Sequence, residues 1–406
     1  MKKIFVCAFA AFALVALLFA FAGCGNKEPE GESAGGLVFE LNGESGEYSV
    51  VGTDKELAAD VVIPESLGGK KVTSIAREAF QRCSKIKSVK IPSTVKNIGP
   101  YAFAYCTAIE SITVPASVSV IDNHAFRGCT ALKNVSFEQG SALSRIGHFA
   151  FENCTAITAI SLPSTVTSIG DAAFKDCSAL AAISIPTELV ELGSRAFNNC
   201  TSLTSISFFD KVTKIGSEAF RGCTALTNVY LSAALSELGE AVFWDCDNIT
   251  VAKAPTAALA ALPKNALRTL EINGTGKIGI NALSDCKTLE SVVISGNITE
   301  IDASAFYNCI ALKSFVFGNA SQSLPKIGRY AFYNCKSLTQ ITLPSGLREI
   351  GVGAFYCCTA LTGATFKNTE GWSAGGADIS SADLANASNA AQYLTVTYTT
   401  LVLTRN

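Results

Sequence analysis

Twelve cysteines divide this chain at nearly constant intervals: Cys83, Cys106, Cys129, Cys154, Cys177, Cys200, Cys223, Cys246, Cys286, Cys309, Cys335 and Cys358. Most steps are 23 residues. Each cysteine follows a Phe by three residues, with Leu283 standing in once, and precedes a Leu or Ile by three. A fixed period in the twenties means that one short supersecondary unit is stacked many times, since a unit of that size cannot bury its apolar face alone. A solenoid offers a long repeated surface rather than one cleft, so the expected function is binding, not catalysis.

The composition fits a continuous core. Of 406 residues, 49% are hydrophobic and only 16% charged, and eleven of the 24 Phe occupy the fixed Phe position of the repeat. The formal net charge is −2; without Lys2 and Lys3 of the leader it is 30 − 34 = −4. No basic face is apparent that would attract a polyanion, so no nucleic-acid partner is expected.

Residues 1–23 read as a separate object. Lys2 and Lys3 make a positive start, Ile4 to Ala22 is apolar, and Phe21-Ala22-Gly23-Cys24 follows. Small residues just before a cysteine resemble a bacterial lipobox, in which that cysteine, here Cys24, carries the lipid and becomes the mature N-terminus. An uncleaved membrane anchor is the alternative, because the apolar run is long enough to span a bilayer. Residues 24–36 lack large apolar side chains and read as a flexible tether.

The segment from Cys177 to Phe197 shows one unit. Leu180-x-x-Ile183-x-Ile185-Pro186 reads as a short strand that Pro186 ends, since proline has no N–H to donate. Leu189 and Leu192 turn inward, Gly193 follows, and Ala196-Phe197-x-x-Cys200 reads as a compact helical or 3-10-like turn. Glycine recurs at the same place at Gly99, Gly147, Gly170, Gly216, Gly239, Gly279, Gly328 and Gly351, with Asp122 and Asp302 as replacements. Shared tolerance of the left-handed region by Gly and Asp predicts such a conformation there, although Ala76 does not fit. The expected fold is a right-handed solenoid of about fourteen coils, with one parallel β-sheet of short strands and ladders of Phe, Cys and aliphatic side chains.

The pattern I-G-x-x-A-F-x-x-C-x-x-L-x-x-I-x-[IL]-P, running from about Val61 to Lys367, resembles the BspA-type leucine-rich repeat, also called TpLRR or LRR_5. The resemblance implies a leucine-rich solenoid on a bacterial cell surface, with adhesion and host-protein binding among the family's roles. It names no ligand.

Three intervals depart from the period. Slack in Glu138-Gln139-Gly140-Ser141 and in Gly318-Asn319-Ala320-Ser321 predicts protruding turns. The step of 40 from Cys246 to Cys286 lacks one Phe-x-x-Cys turn, for which Leu267 is the expected substitute. The ends lack the repeat. Residues 37–71 read as a capping hairpin and first coil, 72–367 as the solenoid, and 368–406 as a C-terminal cap with a helix over 380–391 and a strand over 393–403.

The candidate site residues are the outward strand positions, four, five and seven residues after each cysteine. Ser, Thr and Ala dominate them, punctuated by Lys87, Lys90, Glu110, Lys133, Glu290 and Lys313, with Tyr230, Val293 and Val316 as apolar spots. A solvated β surface is the plain reading; a hydroxyl-rich concave face gripping an extended protein or glycan is the functional one. No catalytic, cofactor or metal residues are expected. One thiol per coil is the wrong spacing for zinc, so buried free thiols are expected, with disulfides between coils as the alternative. Cys357, beside Cys358, lies off the ladder and is expected to be more exposed. His124 and His148 read as exposed turn residues. The resulting expectation is a lipid-anchored surface protein that binds extracellular protein or glycan partners, for instance as an adhesin. The alternative is a structural spacer or envelope-assembly protein with no ligand. Oligomeric state is not legible.

Overall fold

The computed structural model describes residues 31–405, apart from 44, 54–56 and 320–322. The leader and Cys24 therefore lie outside the described residues, as does most of the 24–36 segment. The chain is a β-solenoid of about fourteen turns. It divides into two compact units, residues 1–157 and 158–406.

In unit 1, strands Asp60–Val62, Ser88–Lys90, Ser111–Val114 and Asn134–Phe137 pair in parallel, one per coil. Ser111–Val114 alternates exposed and buried residues, so Ile112 and Val114 face the core while Ser111 and Thr113 face out. A second parallel row runs through Lys70–Ile75, Asn97–Ile98, Val120–Ile121 and Arg145–Ile146. The expectation of one sheet accounts for the first row only. Chain after the first strand re-extends for two residues, and its inward Ile seals the other side of the core. The N-terminal end is closed by Leu37–Leu41 and Tyr48–Thr53, paired antiparallel. Glu32–Ala34, read from sequence as tether, is instead a strand paired with Leu37–Phe39.

Unit 2 repeats both rows. Ser205–Ser207, Asn228–Tyr230, Val251–Ala254, Thr269–Ile272, Ser291–Ile294 and Ser314–Phe317 form one parallel ladder. The second row contains Gly276–Ile278, Ile298–Ile301, Lys326–Ile327 and Glu349–Ile350. Its end is covered antiparallel by Leu403–Arg405. The expected strand over 393–403 is largely absent. Two helices, Ser381–Ala385 and Ala387–Gln392, run on into a wider helical turn at Tyr393–Thr397. Packing overrides the strand propensity there: Leu394 is buried, Thr395 donates to the Ala391 carbonyl, and Tyr393 donates to Asp383.

The Phe-x-x-Cys turn is not a continuous helix. In the coil ending at Cys106, the N–H groups of Ala102, Ala104 and Cys106 bond back three residues, to Gly99, Tyr101 and Phe103. The intervening N–H groups of Tyr101, Phe103 and Tyr105 bond forward to Asn123, Ala125 and Arg127 in the next coil. This alternation requires left-handed residues five and one before each cysteine, as at Tyr101 (φ 57°) and Tyr105 (φ 61°). The sequence expectation had placed the left-handed residue at the recurring glycine, and the structure corrects it. Gly216 and Gly239 are not left-handed; a Cβ on Gly239 would meet the Ser217 backbone nitrogen at 2.2 Å and its Cα at 2.5 Å. Glycine is needed there because successive backbones approach too closely for a side chain. Asp122 and Asp302 instead use their carboxylates, each accepting from the next residue's N–H at 2.8 Å.

The Phe rings stack. Phe80 and Phe103 lie 5.0 Å apart and within 1° of parallel; Phe197 and Phe220 lie 5.4 Å apart. Beside them the cysteines form a donor ladder. The Cys106 thiol donates to the Phe80 carbonyl at 2.9 Å, Cys200 to Phe174 at 3.2 Å, Cys223 to Phe197 at 3.1 Å and Cys358 to Phe332 at 3.1 Å. Ladder cysteines from Cys106 to Cys358 are buried free thiols. Cys83, expected to be a free thiol like the rest, is instead disulfide-bonded. Burial pushes Cys106, Cys200, Cys223 and Cys309 upward in pKa, and raises Cys246 to about 12 and Cys286 to about 11.

In the long 246–286 step, a 3-10 helix at Thr256–Ala261 replaces the missing turn, with Ala258 and Leu259 buried. Leu267 does not substitute for Phe. It precedes Leu270 by three residues as Leu289 precedes Val292, its strand partner, so it belongs to the aliphatic row. The slack residues Glu138, Gln139 and Gly140 are exposed; the second slack segment lies partly outside the described residues.

Candidate binding surfaces

The strand face of unit 1 carries four of the candidate residues. Lys133 pairs with Glu110 at 3.1 Å, and both are exposed. Lys87 and Lys90 are exposed and make no ion pair among the described residues. Thr113 and Ser136 share a hydrogen bond at 2.9 Å between neighbouring coils.

In unit 2, Glu290 lies between two cations, accepting from Arg268 at 2.6 Å and from Lys313 at 2.8 Å. These hydrogen bonds hold its carboxyl below the usual carboxylate range, Lys313 contributing most. Tyr230 stands apart from this group. Its row, read in strand register, runs Ser207, Tyr230, Lys253, Glu271, Val293, Val316. Lys253 and Glu271 pair at 2.9 Å, while Tyr230, Val293 and Val316 are 38%, 39% and 47% exposed. Hydroxyls on this face are partly self-satisfied: Thr227 donates to the Thr204 carbonyl and Thr250 to that of Thr227. The structure therefore brings Glu290 to Lys313 and Glu110 to Lys133, and leaves Lys87, Lys90 and Tyr230 without side-chain partners among the described residues.

A second feature lies on the turns. In unit 1, His124 is stacked between Tyr101 at 4.3 Å and Phe149 at 4.7 Å, and Arg77 caps Tyr101 at 5.3 Å. His124 is thus half-buried rather than exposed. Desolvation, then the nearby Arg127, lowers its pKa, so it is neutral at pH 7. His148 is exposed as expected. In unit 2, Tyr307 and Tyr333 stack at 4.8 Å, Tyr356 lies 5.8 Å beyond Tyr333, and Tyr330 meets Tyr333 edge-on at 5.6 Å. Arg329 sits 4.6 Å over the Tyr330 ring and donates to its hydroxyl at 3.1 Å. Amides follow the same ladder: Asn334 donates to Asn308, which donates to Asp285. Cys357 is partly exposed and sits in the left-handed row, with φ 64°. Its hydrogen bond with Tyr333 raises that phenol's pKa. The sequence signal for this strip is a tyrosine two residues before three successive cysteines, on the turns and away from the strand positions that carry the candidate residues. Among the described residues, no cluster of His, Cys, Asp and Glu is arranged to hold a metal ion.

The repeat geometry matches a known family. The profile described as BspA type leucine rich repeat region fits six copies over residues 60–143, 144–272 and 260–371. The chain belongs to this family. A leucine-rich repeat protein from Bacteroides ovatus is 30% identical over 82% of this chain and 88% of that one, with a TM-score of 0.50. A leucine rich cell surface protein from Faecalibacterium prausnitzii is 24% identical over 85% of this chain and 97% of that one, with a TM-score of 0.43. The Treponema pallidum leucine rich repeat protein is 18% identical over 76% of this chain and 91% of that one, with a TM-score of 0.23. No curated protein matches. BspA-type proteins are typically surface-associated, and leucine-rich solenoids are typically binding scaffolds rather than enzymes.

Proposed function

We propose that this chain is an exported, lipid-anchored surface protein whose strand face binds an extracellular protein or glycan, with adhesion as its cellular consequence. One observation carries the binding half of this reading. Outward positions of the parallel strands repeat in register, so an extended partner meets similar groups coil after coil. Lys87 and Lys90 in unit 1 and Tyr230 in unit 2 are outward groups without side-chain partners among the described residues, and so are available to a ligand. Few of these groups are aromatic anchors of the kind that dominate interface energies, so affinity per coil is modest and many copies on a surface act together. The anchor half rests on Phe21-Ala22-Gly23-Cys24.

Two measurements test the halves separately. Mass spectrometry of the mature protein should find lipid on Cys24 and no residues 1–23, and an N-terminus at Met1 refutes the anchor. The full chain, screened against extracellular-matrix proteins and mucin glycans, should bind at least one. Lys87→Glu/Lys90→Glu and Tyr230→Ala should weaken that binding and leave melting unchanged. Retention of full binding in both variants removes the strand face from the site; absence of any ligand favours the spacer reading.

A further inference from the structure

We propose that the turn face of unit 2 around Tyr307, Tyr333 and Tyr356 is a second binding surface, and that its ligand is an acidic polysaccharide. This inference does not depend on the strand face binding anything.

Three observations carry it. First, the strip sets aromatic, accessible side chains at one turn position in three successive coils. Tyr356 is 45% exposed, and Tyr307, Tyr330 and Tyr333 are partly exposed. Phenols offer apolar ring edges together with a hydroxyl that donates and accepts, the combination that suits a partner both hydroxylated and aliphatic.

Second, the strip has uncompensated positive charge. Arg329 lies over Tyr330 with no carboxylate partner among the described residues. Lys336, three residues after Tyr333 in the same turn, is exposed and makes no ion pair there. Elsewhere on unit 2, exposed cations such as Lys313, Lys253 and Lys326 are matched to glutamates in neighbouring coils. The nearest carboxylate on the ladder, Asp285, already accepts from Asn308 at 2.6 Å. A guanidinium held against a ring is oriented for a planar anion such as a carboxylate.

Third, the spacing selects the polymer. Ring centroids advance by 4.8 Å and then 5.8 Å from coil to coil. That step is close to the length of one pyranose unit in an extended glycan. An extended peptide repeats its same-face side chains only every ~6.7 Å, and so falls out of register with the phenols within two coils. A uronate chain laid along the strip would meet one phenol per sugar and place carboxylates near Arg329 and Lys336.

The test uses the full chain and immobilised polygalacturonate at low ionic strength, with dextran as the neutral glycan and polyglutamate as the acidic peptide. The wild type should be retained on polygalacturonate alone, and salt should weaken that retention. Arg329→Ala/Lys336→Ala should reduce affinity at least tenfold, and Tyr356→Ala at least fivefold, each with an unchanged melting temperature. Tyr356→Phe should show an intermediate loss, separating the hydroxyl from the ring. Lys87→Glu/Lys90→Glu, in unit 1, should bind as the wild type does, so failure of the strand-face reading leaves this one intact. The proposal is overturned if the wild type ignores polygalacturonate. It is equally overturned if polyglutamate retains the wild type as well, or if the double alanine variant binds unchanged.

Discussion

At the scale of single residues, the structure separates two backbone demands that sequence pattern conflates. Gly239 and Ala241 are two residues apart, yet Gly239 is the one without room for a side chain and Ala241 the one at positive φ, 53°. Gly239→Ala should therefore cost at least about 2 kcal/mol, since the Cβ would press on the Ser217 backbone. Ala241→Gly should be neutral or raise stability by up to about 1 kcal/mol, because relief from a left-handed alanine offsets the added freedom of the unfolded chain. Urea melts of the two variants decide it, and equal losses would refute the assignment. The recurring glycine was plain in the sequence, but its reason was not, because close approach to the preceding coil is a contact across more than twenty residues. The cysteines from Cys106 to Cys358 were read correctly as buried free thiols, whereas Cys83 is disulfide-bonded, yet sequence offered no reason for sulfur over another small apolar side chain. The carbonyl that each thiol meets in the preceding coil supplies one. Cys223→Ala should accordingly cost about 1–2 kcal/mol, through the lost hydrogen bond and the small void together.

At the scale of the coil, two kinds of ladder hold neighbours in register. The Phe stack is the strong one: Phe197→Ala should open a cavity between coils and cost about 3–5 kcal/mol, whereas Ser207→Ala, on the exposed strand face, should stay within about 0.5. Comparable losses in a denaturant melt would reverse the assigned facing. The second ladder is ionic. Glu300, only 16% exposed at its side chain, takes Lys277 on one side and Lys326 on the other, and Lys326 reaches Glu349 at 3.2 Å. Charges alternate in sign from coil to coil, so each row attracts both neighbours. Glu300→Lys places three cations in succession. It should lower the melting temperature more than Glu300→Gln, and salt should narrow the gap between the two. A gap indifferent to salt would mean that packing, not charge, is the cause. The Phe row was legible from the period. The ion ladder was not, since its members sit at a second strand row that the sequence reading left unassigned.

At the scale of the whole molecule, the buried thiols act in concert. A thiol is neutral when protonated, and burial raises its folded pKa above the unfolded value of about 8.5. Its contribution is full below that value and fades as pH climbs toward the folded pKa, about 11 for Cys286 and about 12 for Cys246. Within that window each such thiol withdraws about 1.4 kcal/mol per pH unit. With a reductant present, the melting temperature should be nearly level up to about pH 8 and then drop steeply toward pH 10.5. Cys246→Ala should flatten the descent. A level profile to pH 10.5 would show that the thiols are not held protonated. The solenoid itself was legible from the cysteine interval alone, because periodicity is a global property written locally many times. The caps resisted the same reading: residues 393–397 alternate like a strand, but packing of Leu394 and the bonds from Tyr393 and Thr395 decide their conformation. The strand-face residues were located correctly as outward, but which of them pair was fixed only by register between coils.

Within each unit, the joins between regular coils reuse one set of contacts: ring on ring, thiol on carbonyl, turn N–H on the following coil's oxygen. A gene encoding such a chain can lose or duplicate one period in phase without any new junction having to be invented. Inheritance can therefore tune how many docking positions the protein displays by unequal crossing-over, while point mutation tunes what each position recognises. The two kinds of change are free to proceed independently.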